Sequence, residues 1–251
     1  MTAPEDQERT DDAMYRGGVR ILQHRRGYRF SFDAVLLAHE VARLRPRRGA
    51  EFGAGSGVVS LCLATMLPEY RGKAFEIQPS LAQLARENAL RNSLGERIEV
   101  VEGDVRRVRR EVDAPEVVFM NPPYFGAREG TPSPNLERAL ARHQANGSLV
   151  ELLQAAKRLV AGGGAVVFVY PGAREEIAVA AIAAAGLRGA SVRRVVASEG
   201  AAPAFVVLTA REHGAEGLGR LEPVVLHDAS GSVTAAHLAI VDGLLPPAEV
   251  G

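Results

Sequence analysis

The sequence predicts an α/β fold: a seven-stranded, mostly parallel sheet with one antiparallel edge strand and helices on both faces. Three observations carry this expectation. The 251 residues suffice for one large α/β domain with a real core. Apolar runs of strand length alternate with helical patterns, which implies right-handed crossovers and a covered, mainly parallel sheet. The last two strand-like runs have only Glu199 to Pro203 between them, too short for a crossover helix, so they are expected to pair antiparallel at one edge.

Taken in order, residues 1–14 read as a disordered acidic start and 15–48 as a basic, helical segment. Within it, Phe32 to Leu44 places Val35, Leu36, Val41 and Leu44 at helical spacing, and Pro46 lies just past the end. Residues 49–211 form the main domain. Its strands are expected at Glu51-Phe52, Lys73 to Ile77, Arg97 to Val101, Glu116 to Met120, Ala165 to Tyr170, Ser191 to Ala197 and Ala204 to Ala210. Its helices are expected at Ser56 to Met66, Ser80 to Leu90, Leu149 to Leu159 and Arg174 to Ala184. Pro122 to Ser148 is a long connection of mixed polarity, a candidate substrate loop. Residues 212–251 form a weakly patterned extension with a loose tail.

Composition narrows the function. Hydrophobic residues make up 47% and charged residues 24%, ordinary for a soluble globular chain. No apolar stretch approaches a membrane span. Thr2 to Asp12 is polar and acidic, unlike a signal or transit peptide. The single cysteine, Cys62, suits a reducing cytoplasm. The histidines show no metal-ligand spacing, so no metal is expected, and no stable protein partner is indicated. Formal net charge is zero, but Arg16, Arg20, Arg25, Arg26, Arg29, Arg43, Arg45, Arg47 and Arg48 precede the first main-domain strand, opposed by an acidic start. Such a local basic region can track phosphates.

Two constellations carry chemistry. Glu51-Phe52-Gly53-Ala54-Gly55-Ser56-Gly57 joins a strand to a helix, and its glycines let the backbone turn sharply and approach a ligand. The third glycine comes one position early for a dinucleotide turn, and Glu51 would repel a pyrophosphate but attract a cationic amino-acid moiety. Glu76 ends the next strand, where a carboxylate can accept ribose hydroxyls. Asp104, after Gly103, could accept from an adenine amino group. Together these acids describe a pocket for S-adenosylmethionine at a topological switch point. The second constellation is Asn121-Pro122-Pro123-Tyr124, directly after the run Glu116 to Met120. The prolines hold the backbone extended and remove N–H donors, leaving carbonyls and the Asn121 side chain to accept protons from a planar –NH2 group against which Tyr124 stacks.

These residues resemble the class I, Rossmann-like methyltransferases that act on exocyclic or amide nitrogens. More narrowly, Arg25 to Leu37, Asn121 to Phe125 and Ala141-Arg142-His143 look like the tRNA1(Val) adenine-37 N6-methyltransferase family. Glu51 stands where an aspartate is common, and Gln144 where many relatives carry glutamate. The resemblance implies S-adenosylmethionine contacts from Asp33, Glu51, Gly53, Ala54, Gly55, Gly57, Glu76, Ile77, Gly103, Asp104, Val105 and Asn121. It implies catalysis by Asn121, Pro122, Pro123 and Tyr124 on adenine N6 of a tRNA, with Arg25, Arg26, Arg29 and His143 on the RNA. The alternatives are a protein glutamine amide, another rRNA base amino group, or a nonenzymatic S-adenosylmethionine- or RNA-binding protein on the same scaffold.

Overall fold

The computed structural model describes residues 9–26, 29–109, 112–122 and 149–248. From the amino terminus, β1 (Arg9–Met14) and β2 (Val19–His24) form an antiparallel hairpin, and α1 (Phe32–Ala42) follows. Then come β3 (Arg48–Phe52), α2 (Val58–Met66), β4 (Arg71–Glu76), α3 (Pro79–Arg91), β5 (Ile98–Glu102) and β6 (Val117–Met120). Beyond them lie α4 (Leu149–Leu159), β7 (Ala165–Pro171), α5 (Glu175–Ala184), β8 (Arg188–Val196), β9 (Pro203–Arg211), β10 (Leu218–Val225) and α6 (Ala235–Val241).

The main sheet has the order β10-β8-β9-β7-β6-β3-β4-β5. Strands β7, β6, β3, β4 and β5 are mutually parallel, and β9 runs antiparallel to both β7 and β8. Alternation across the pleat divides the core. In β6, Val117 and Phe119 face a cluster with α1 and α2, while Val118 and Met120 face α4 and α5. All four are fully buried, which is why the run carries no polar position. Truncating a ring such as Phe119 there would cost about 3–5 kcal/mol. No helix among the described residues is long and apolar enough to cross a membrane.

The architecture corrects the sequence reading in three places. The sheet has eight strands rather than seven, because β10 adds beside β8 in parallel. Pro223 and Gly219 obscure that strand in the sequence. Its register shifts between Leu221 and Val224, and an edge strand tolerates a proline at such a bulge. The last two main-domain strands, β8 and β9, do pair antiparallel, but antiparallel β9 is internal, lying between β7 and β8. Finally, Arg9–Met14 is a strand where a disordered start was expected. The hairpin turn uses left-handed Tyr15 (φ 51°) and Arg16 (φ 53°) before Gly17, so none of the usual Asn-Gly or Asp-Gly turn signals marks it. Its buried Val19 and Ile21 join the core of α1 and α2.

Candidate active site

From β3 the chain steps outward through β4 to β5, then returns to β6 and β7 on the other side of β3. Connections therefore leave β3 and β6 in opposite directions, which opens a crevice at their carboxyl ends. Phe52 pairs with Met120. Gly53 and Asn121 are thus the first residues past a matched pair, and the two sequence constellations meet at one point.

On the β3 side, Gly53, Gly55 and Gly57 have φ of 69°, 57° and 84°, the left-handed region that side chains resist. The Ala54 N–H donates to the Phe75 carbonyl at 2.9 Å and that of Gly57 to Ala54 at 2.8 Å. A Cβ on Gly53 would meet nothing within 4 Å, whereas one on Gly57 would lie 3.3 Å from the Ala85 methyl. The loop is therefore pressed onto α3 at Gly57 and open at Gly53.

Carboxylates hold this loop. Glu76 Oε2 accepts from the Gly55 N–H at 2.7 Å, and Oε1 from the Gln78 N–H at 2.9 Å. Glu51 lies deeper. Its Oε2 accepts from the Ser60 N–H at 3.0 Å and from the Ser60 hydroxyl, tying β3 to the first turn of α2. Burial pushes Glu51 up to about 8, against the pull of the Ser60 bonds. Next to them, the Gly103 N–H donates to the Glu76 carbonyl at 2.9 Å, and Ile77 and Val105 stand half-buried at the strand ends. Asp104 differs: the Arg106 guanidinium grips both its oxygens, at 2.7–3.0 Å. That contact holds Asp104 below its ordinary value.

On the β6 side, Asn121 Nδ2 donates to Asp33 Oδ2 at 2.9 Å, across 88 positions of sequence. Asp33 is the second residue of α1. Its Oδ1 accepts from the Ala34 N–H at 3.0 Å and from the Ser31 hydroxyl. Pro122 is buried. Pro123, Tyr124 and His143 lie outside the described residues.

Arg25 and Arg26 are exposed just after the hairpin. Arg29 instead reaches back to Thr10 at 2.7 Å and Asp12 at 2.9 Å. Asn88 carries no signal beyond being a poor helix former in mid-helix, yet it is fully buried. It accepts from the Leu22 N–H at 2.8 Å and donates to the carbonyls of Leu22 and Ser56, at 3.0 and 2.9 Å. One side chain thereby clips the hairpin to the glycine loop.

Comparison with known proteins points to a family and a fold. A family model described as a methyltransferase small domain matches residues 30–173. A tRNA1(Val) (adenine(37)-N6)-methyltransferase of Aeromonas hydrophila is 30% identical over 211 residues, 83% of this chain and 86% of the relative. One of the same name from Bacteroides fragilis is 34% identical over 141 residues, 55% of this chain and 58% of the relative. Among solved structures, a predicted O-methyltransferase of Agrobacterium tumefaciens superposes with a TM-score of 0.69 at 22% identity, covering 86% of this chain and 99% of that one. At that identity the likeness establishes the fold alone.

Proposed function

The chain belongs to the methyltransferase small-domain family and to the tRNA1(Val) (adenine(37)-N6)-methyltransferases, and on that premise we propose that it methylates N6 of an unpaired tRNA adenine with S-adenosylmethionine. One observation carries the reading. Asn121 stands one residue past the β3–β6 pairing, beside the glycine loop, with its amide NH2 turned to Asp33. The amide oxygen is left to accept from a donor in the crevice.

The cradle of Gly53, Ala54, Gly55 and Gly57 and the acids Glu76 and Asp104 would hold the cofactor, with Ile77, Gly103 and Val105 along it. Glu51 holds the loop from beneath. Bound S-adenosylmethionine supplies an electrophilic methyl group. The chain's own residues deal with the acceptor. Adenine N6 is a weak nucleophile because its lone pair is delocalised into the ring. Asn121 Oδ1 and the Pro122 carbonyl accept its two N–H groups and favour a pyramidal nitrogen, and Tyr124 fixes the ring by stacking. As N6 gains positive charge, these fixed acceptors stabilise it. The surplus proton leaves to solvent afterwards, so no strong base is needed. An anticodon-loop base is already unpaired, which limits the cost of turning it out to a few kcal/mol. Arg25 and Arg26 supply phosphate contacts, and the lone thiol fits a cytoplasmic enzyme. Residues 49–211 carry the transfer, with the segments before and after them framing the substrate side.

The test is incubation with labelled S-adenosylmethionine and bulk tRNA, followed by digestion to nucleosides. N6-methyladenosine is the expected product, and Asn121→Ala should slow its formation by about 100-fold or more with cofactor binding nearly intact. Label on a protein glutamine instead, with none on tRNA, would refute the reading.

A further inference from the structure

We propose that Asp33 is a positioning residue for methyl transfer, fixing and polarising the Asn121 amide, and not a cofactor ligand; this rests on reading Asn121 as the acceptor of the target amino group. The two ends of a side-chain amide are nearly the same shape but opposite in chemistry. Flipped the wrong way, Asn121 would present its own NH2 to the substrate NH2. A carboxylate has only acceptor atoms. The end of Asn121 that lies 2.9 Å from Asp33 is therefore Nδ2, and Oδ1 is set on the opposite side.

Asp33 is equipped to impose this choice. It is 6% exposed, so water competes poorly for the contact. Its other oxygen is held by the Ala34 N–H and the Ser31 hydroxyl. It sits in the first turn of α1, where the helix dipole favours negative charge. Behind it Leu36, Leu37 and Ala38 are fully buried, which anchors α1 in the core. A hydrogen bond to a charged acceptor also shifts electron density through the amide toward Oδ1. Asn121 becomes a stronger acceptor as the amino nitrogen gains charge, at no cost in reorganisation.

Single-turnover transfer to an unmodified tRNA1(Val) transcript, with separate cofactor titration, tests this with four variants. Asp33→Ala should slow transfer about 100-fold while cofactor Kd and tRNA KM stay within about threefold. Asp33→Asn keeps an acceptor oxygen but not the charge, and should recover only in part, to a rate about tenfold below the parent. Combined with Asn121→Ala, Asp33→Ala should add no further slowing, because the two act as one unit. Weakened cofactor binding with an unchanged saturated rate would make Asp33 a cofactor ligand and overturn the proposal. So would additive slowing in the double variant. Should Asp33→Ala fail to fold, Asp33→Asn decides: a full parent rate overturns the proposal. Asn121→Ala without effect would instead defeat the reading of Asn121 itself.

Discussion

In the crevice, Asp33, Glu51 and Glu76 are at most 6% exposed, and an amide, a serine and backbone N–H groups meet them. On the hairpin flank, Asp11 lies at the surface between Arg20 and Arg91, and Asp12 pairs with Arg29 at 2.9 Å. The same functional group is thus put to two uses. In the crevice these acids meet neutral donors and fix the glycine loop, the start of α2 and the Asn121 amide in place. Arginines cancel the charge of the flank acids, which serve to dock β1 against β2 and α3. At Asp11 and Asp12 the acidic start and the arginines neutralise each other within the fold, and Arg29 is engaged there with Thr10 and Asp12.

Breaking the crevice should cost most. Glu76→Ala strands the N–H groups of Gly55 and Gln78. At about 1–3 kcal/mol for each of the two unsatisfied donors, denaturant melts should show a loss of about 2–6 kcal/mol, and cofactor affinity should fall at least tenfold. Asn88→Ala should come next, with about 1–3 kcal/mol lost and earlier proteolysis between β2 and α1, because the clip between Leu22 and Ser56 is gone.

Acidity acts with opposite sign at Glu51 and at the arginine-gripped acids Asp104 and Asp11. Glu51 binds its proton more tightly folded, at about 8, than unfolded, so the folded chain carries the extra proton between its ordinary value and about 8. Stability from this group is full below the ordinary carboxylate value and falls as pH rises from there to about 8. Glu51→Gln should flatten the decline in Tm between about pH 5 and 8. Asp104 is held low by Arg106, and Asp11 by Arg20. Their contribution is present at neutral pH and fades only as pH falls below the ordinary carboxylate range. The smallest effect belongs to Asp11→Asn, which should shift Tm by no more than a degree or two in physiological salt and by more at low salt.

What was legible in the sequence follows the same division. The glycine loop could be read because φ near 60–80° demands glycine at those positions, and Asn121 because prolines after a buried strand are so restrictive. Both features are local. The hairpin was hidden by an acidic β1 and a turn of left-handed Tyr15 and Arg16. Strand β10 was hidden by Gly219 and Pro223. The Asp33–Asn121 bond spans 88 positions, and no local pattern encodes a contact between two such residues. Asp33 was singled out by resemblance, but its partner could be found only in three dimensions.

The central claim is that the crevice presents an amide oxygen to adenine N6 of tRNA. Its most direct test is mass spectrometry of a tRNA1(Val) transcript after reaction with the protein and S-adenosylmethionine, beside a transcript carrying guanine at the adenine(37) position named for the relatives. One methyl group is expected on N6 of that adenine, none on the guanine transcript, and formation slowed about 100-fold or more with Asn121→Ala. Equal methylation of both transcripts, or full activity in the Asn121 variant, would contradict it.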